Sequence, residues 1–177
     1  MMNRLQELDE IYADYEFQRK TLKLFKLNVK LALKGTVGLS ASLLKQSELH
    51  SFTPEIAKER ADATEKHLAD STILSLWIVF ERCLVEYLQN GVTISLRSPI
   101  SELLYDRVLK DIEWWRLDDK IDMTKSLFDS KLLENLTHIK KYRNWVAHRN
   151  PNQQPPNIKP GNAYTYLREA IESIQNS

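Results

Sequence analysis

From Leu5 onward the apolar positions Leu5, Leu8, Tyr12, Tyr15, Leu22, Phe25 and Val29 follow steps of three and four, with Arg19 at the one missing step. That period belongs to a helix with one buried face. The stretch Leu27, Val29, Leu31, Leu33 also alternates as a strand would, but Lys23, Lys26, Lys30 and Lys34 recur at helical spacing, so the segment reads as helix. Gly35 and Gly38 weaken or kink it, and Leu39, Leu43 and Leu44 are placed to resume it. A second helix opens with Thr53 as N-cap and Pro54 at its first position, and Asn90-Gly91 is its predicted stop. Its first half reads as a charged surface; its second half, with Ile73, Leu76, Trp77, Phe80, Leu84, Tyr87 and Leu88, reads as core.

A third helix is predicted from Ser98-Pro99 through Ile100, Leu103, Leu104, Val108, Ile112 and Trp115, fading at Leu117-Asp118-Asp119. A fourth runs from about Ser130 through Leu132, Leu136, Ile139 and Val146 and ends near Asn150, because Pro151 disfavours helix at the residue before it. Pro151 to Gly161 is an extended loop, and a last helix from about Asn162 to Gln175 packs through Tyr166, Leu167, Ala170, Ile171 and Ile174. The expectation is an all-α, single-domain bundle of four to five helices over residues 1–177.

Composition narrows the class. With 42% hydrophobic and 28% charged residues in a chain of 177, there is enough apolar material for a core. The longest apolar run, Thr72 to Phe80, is too short to span a bilayer, and the first residues lack the apolar segment of a secretory signal. Cys83 is the single cysteine, so neither an intrachain disulfide nor a thiolate metal cluster can form. A cytoplasmic protein without membrane partners is the expectation.

Several chemistries lack their residues. Gly35-Thr36-Val37-Gly38 has no following lysine and no preceding strand, so it is not a phosphate loop. His50, His67, His138 and His148 are scattered, and Asp118-Asp119 with Asp122 reads as a solvated acidic turn rather than a metal site. No serine sits in a nucleophile elbow. No cofactor and no metal are called for.

The end of the fourth helix stands out: Lys140-Lys141-Tyr142-Arg143-Asn144-Trp145-Val146-Ala147-His148-Arg149-Asn150. Between Glu134 and Glu169 the sequence has no acidic residue, yet it holds Lys140, Lys141, Arg143, Arg149, Lys159 and Arg168. A local positive field of this kind suits a phosphate-bearing partner such as RNA, with Lys140, Lys141 and Arg149 as backbone contacts. The same residues would also serve as an ordinary solvated face. Asn144 and His148, four apart, share a helix face, so the amide could orient the imidazole. Arg143 lies about 140° round from His148, but its long stem can bring the guanidinium toward the same phosphate.

Arg143-Asn144-x-x-x-His148, at the end of the penultimate helix of a small all-α chain, resembles the Arg-x(4–6)-His motif of the HEPN (higher eukaryotes and prokaryotes nucleotide-binding) superfamily. The polar residue directly after the arginine is part of that pattern. Superfamily members are commonly metal-independent RNA endonucleases, and the resemblance implies a homodimer whose two motifs meet in a composite site. It also implies that Arg143, Asn144 and His148 are catalytic, that RNA, with tRNA a candidate substrate, is cut to a 2′,3′-cyclic phosphate, and that the protein is a toxin or antiviral (phage) defence effector restrained by an antitoxin or regulatory partner. Asn150 stands where toxins paired with a nucleotidyltransferase antitoxin carry a modified tyrosine, which argues against that particular pairing. A catalytically inactive nucleotide- or RNA-binding or dimerisation module of the same type is the alternative.

The resemblance would make Glu81, a carboxylate beside the apolar face of the second helix, a further member of the site through a contact with Arg143; simple charge neutralisation predicts the same contact. Lys20, Lys23, Lys26, Lys30 and Lys34 read first as a solvated face and otherwise as a track for RNA. Trp114, Trp115 and Trp145 fit core or interface positions better than base-stacking ones.

Overall fold

A computed structural model describes residues 3–33, 53–95, 101–148, 154 and 156–177. Among them are six α-helices and no strand: α1 (Arg4–Leu33), α2 (Pro54–Ser95), α3 (Ser101–Trp114), α4 (Leu117–Thr124), α5 (Ser130–His148) and α6 (Pro160–Gln175), with a 3-10 turn at Lys125–Leu127. The all-α expectation holds. The predicted resumption at Leu39, Leu43 and Leu44, the Ser98-Pro99 start and residues 151–153 and 155 of the proline-rich loop lie outside the described residues, while Pro160 and Gly161, expected to close that loop, already belong to the last helix. None of the described helices is long and apolar enough to cross a membrane.

Local chemistry sets the helix starts. Asn3 Oδ1 accepts from the Gln6 amide at 3.2 Å, Thr53 Oγ1 accepts from the Ile56 amide at 3.4 Å, and Asp129 Oδ1 accepts from the Leu132 amide at 2.7 Å. Each satisfies an amide that the first turn leaves without an internal partner. Proline opens α2 and α6, where its missing N–H costs nothing.

Two predicted boundaries are corrected. Helix α2 runs through Asn90-Gly91 to Ser95. Gln89 on this stretch donates to the Leu109 carbonyl of α3 at 3.0 Å, a tertiary bond that holds the helix where propensity alone would end it. The supposed acidic turn at Leu117-Asp118-Asp119 is the first turn of α4, where carboxylates favour the positive end of the helix dipole.

The chain forms two compact units, residues 1–10 with 73–177, and residues 11–72. In the first, Leu8 of α1 and Ile73, Leu76, Trp77, Phe80 and Leu84 of α2 are buried with Ile112 of α3 and Leu136 and Ile139 of α5. Trp77 and Phe80 meet edge-on at 5.3 Å, and Phe80 approaches Phe128 at 6.5 Å. Helix α6 packs on α5 and buries Ala163, Leu167, Ala170, Ile171 and Ile174. Two buried cations complete this unit. Arg4, 8% exposed, is held by Glu86 and Glu7, and these bonds, Glu86 foremost, raise its already high pKa. Lys120, 3% exposed, donates to the Glu113 carbonyl at 3.1 Å and so closes the C-terminus of α3, where the dipole favours a cation.

The second unit brings the remainder of α1 against the first half of α2. Lys26 of α1 pairs with Asp62 at 2.6 Å and with Glu65. The half of α2 that reads as charged surface nevertheless buries Ala57 and Ala61, one turn apart, and Val29 of α1 is buried in the same unit. Side chains this small are buried without showing as an apolar stripe in the sequence.

Candidate active site

Helix α5 carries the candidate residues because Leu132, Leu136, Ile139 and Val146 bury one side of it, leaving the other to polar groups. The helix is described as far as His148, and the predicted end near Asn150 lies outside the described residues. His148 is exposed and has no hydrogen-bonding partner among the described residues. Half-buried Arg143 donates from Nη1 to Asn144 Oδ1 at 3.1 Å. The amide oxygen therefore engages the guanidinium, and the expected hydrogen bond from Asn144 to His148 is not formed. On the same helix Tyr142 and Trp145 stand with ring centres 6.1 Å apart, and Trp145 is half-buried.

Glu81 is elsewhere. It makes no ion pair with Arg143; it lines an open pocket of about 390 Å³ with Arg4, Arg82, Glu86, Glu113 and Lys120. The reason is its position on α2: one residue beyond Phe80 it turns onto the flank shared with Ile78 and Val85, which line the same pocket. The predicted Glu81 to Arg143 contact is thus absent, whether the contact was to be catalytic or merely neutralising.

The positive field is smaller than the local sequence suggests. Lys140 pairs with Asp118 of α4, and that bond holds the Asp118 carboxyl below its usual range. Arg168 is bonded to Glu172 and reaches Asp9 of α1 at 3.4 Å. Both acids, Asp118 and Asp9, come from distant parts of the sequence. Lys141 and Lys159 remain exposed with no ion pair among the described residues, and Arg149 lies outside them. Tyr164 also donates to Asp9 at 2.7 Å; burial, then this bond, raises its pKa.

No family model, curated protein or solved structure matches the chain. The functional reading therefore rests on the residues themselves. Among the described residues no three His, Cys, Asp or Glu side chains gather as metal ligands would. What α5 offers is a guanidinium held beside an amide, an accessible imidazole four residues beyond that amide, and one free lysine, Lys141, adjoining them. Such a set can bind a phosphodiester and exchange a proton with it. Two features escaped sequence reading. Asp118 as the partner of Lys140 was legible only as an acidic turn, and the pocket around Glu81 depends on buried Arg4 and Lys120, which hydropathy assigns to the surface.

Proposed function

We propose that this chain is a HEPN-type RNA endonuclease, working without a metal as a dimer, with Arg143, Asn144 and His148 as its active-site residues. The observation that carries the reading is the Arg143 to Asn144 bond on α5, five and four residues before an exposed His148. Arg143, fixed by the amide, would bind the scissile phosphate through its remaining donors and stabilise the charge that builds on the phosphorane. One His148 imidazole takes the proton of the ribose 2′-hydroxyl as the 2′-oxygen attacks phosphorus. The bond to the 5′-oxygen breaks, and a protonated imidazole, the second copy of His148 in a two-fold dimer, gives that oxygen its proton. The products are a 2′,3′-cyclic phosphate and a 5′-hydroxyl, and DNA is inert because it lacks the 2′-hydroxyl. Lys141 and Arg149 would contact the RNA backbone, Lys140 contributing less because Asp118 neutralises it. A toxin or defence effector under the control of a second protein is the biological setting this chemistry suits.

The test is incubation of the purified chain with end-labelled tRNA and mixed RNA in EDTA, beside His148→Ala and Arg143→Ala, with the product ends mapped. Cleavage that survives EDTA, yields cyclic phosphates and disappears in both variants supports the nuclease. One observation favours a second reading: the His148 imidazole is not oriented by Asn144. RNA binding that depends on Arg143 without any cleavage would make the chain a silent binding module.

A further inference from the structure

Within the second compact unit, α1 has two sides of opposite character. Val29 and the half-buried Leu22 and Phe25 pack on one side. The other exposes Phe17 at 72%, Leu24 at 64% and Leu27 at 52%. At 100° per residue these three fall in a sector about 80° wide. Lys20 lies inside that sector, and Lys23 and Lys30 flank it about 40° and 60° beyond one edge, all exposed and none in an ion pair among the described residues. No acidic residue occurs in the sequence from Phe17 to Leu33.

The combination selects among partners. Three large apolar side chains, each more than half in water, gain free energy when covered. A two-fold pairing of this face with a second copy would bring two lysine sets together with no acid on the strip to relieve them. A nucleic acid would satisfy the lysines but take little from Leu24 and Leu27. An anionic lipid surface meets both demands, since its phosphates face the ammonium groups while the apolar side chains enter the boundary between headgroups and acyl chains. We propose that the face formed by Phe17, Leu24 and Leu27 with Lys20, Lys23 and Lys30 docks peripherally on anionic membrane lipid, against the sequence-based expectation of no membrane partner. The proposal is independent of the nuclease reading, because none of these residues is on α5.

The experiment is co-sedimentation of the full chain with vesicles of phosphatidylcholine alone and of phosphatidylcholine mixed with phosphatidylglycerol, at low and high salt. It includes the triple variants Phe17→Ser/Leu24→Ser/Leu27→Ser and Lys20→Gln/Lys23→Gln/Lys30→Gln. All six positions are exposed, so both variants should keep the wild-type circular dichroism; if the serine variant does not fold, Phe17→Ser alone replaces it. Expected are binding to the anionic vesicles only, weakening with salt, and a loss of partitioning of at least about tenfold in each triple variant. Absence of binding by the wild type, or undiminished binding by the serine variant, overturns the proposal. So does a wild-type dimer that the serine variant dissolves without any vesicle binding, which would give the face to a second copy. RNA affinity lost only in the glutamine variant, again without vesicle binding, would give it to nucleic acid.

Discussion

Arg143 and Asn144, neighbours on α5, are joined by a 3.1 Å hydrogen bond from the guanidinium to the amide oxygen. An arginine has five N–H donors, so this bond fixes the plane of the fork and leaves the others for a phosphate. Under the proposed function Asn144→Ala frees the guanidinium and lowers cleavage about tenfold, mostly through positioning. Asn144→Asp is expected to be worse than Ala, because a carboxylate neutralises Arg143 and repels the phosphate. His148→Ala removes proton transfer and lowers the rate by about 10²–10⁴. Single-turnover cleavage in EDTA ranks the three variants; an Asp variant as active as the wild type would detach Asn144 from the site.

Arg4 ties α1 to α2 within the first compact unit. Its guanidinium is almost wholly buried, while its partners Glu7 and Glu86 retain 28% and 30% of their side-chain exposure. Arg4→Met leaves Glu86 without this cation and Glu7 with only Arg82 at 3.5 Å, and the expected loss is about 2 kcal/mol, below the range for fully buried pairs because water still reaches both acids. Replacing Glu86 by Met as well should recover part of it. Urea unfolding midpoints of the two variants measure both effects.

Stability should respond to pH at both ends. Hydrogen bonds from Lys26 and Lys140 hold the carboxyls of Asp62 and Asp118 below their usual range. A group depressed in the folded state contributes stability above its unfolded value, about 3.9 for Asp, and loses it as pH falls through the folded value. The acid limb of the stability profile should therefore lie below about pH 4 and become shallower in Lys26→Gln and Lys140→Gln. Tyr164 is raised, chiefly by burial and then by its bond to Asp9. Its contribution is present below the unfolded value of about 10 and lost as pH rises through the folded one, so Tyr164→Phe flattens the alkaline limb. Unfolding midpoints recorded across pH check both limbs.

The fold was legible where burial follows apolar period. Leu8, Val29, Ile73, Leu76, Phe80, Leu84, Leu136, Ile139, Leu167 and Ile171 are all buried at positions that the spacing assigns to core. It was not legible where polar atoms do the packing: Arg4, Asp70, Lys120 and Thr124 are buried, and hydropathy puts each of them outside. Helix α4 was missed for that reason, since Lys120 supplies part of its buried side and two of the other three residues of its first turn, Asp118 and Asp119, are acidic. In the candidate site, helix period located the polar tip of α5, but the pairing of Lys140 with Asp118 joins residues on separate helices, which a count of local charge cannot see.

Cys83 should be inert in the folded chain. It is 1% exposed, and burial, reinforced by the charge of Glu86 and opposed by Arg4, pushes its thiol up to about 11. Near pH 8 the thiolate, which is the reactive form, is scarce and shielded. A chromogenic disulfide reagent at about pH 8 should find no thiol in the native protein and one per chain in urea, the single cysteine of the sequence. Rapid native labelling would mean that α2 opens around Cys83.

Gly91 offers a direct check on the course of α2. The helix passes through it, and a Cβ built there would meet nothing within 4 Å. In that setting Gly91→Ala removes backbone freedom from the unfolded chain without a steric cost in the folded one, so stability should rise by about 0.5–1 kcal/mol. Were Asn90-Gly91 a stop with glycine in the left-handed conformation, the same substitution would force alanine into a region it avoids and lower stability by about 1 kcal/mol. The sign of the shift in the urea midpoint therefore decides between a continuous α2 and a terminated one, and a rise is expected because the Gln89 to Leu109 bond anchors the helix two residues before the glycine.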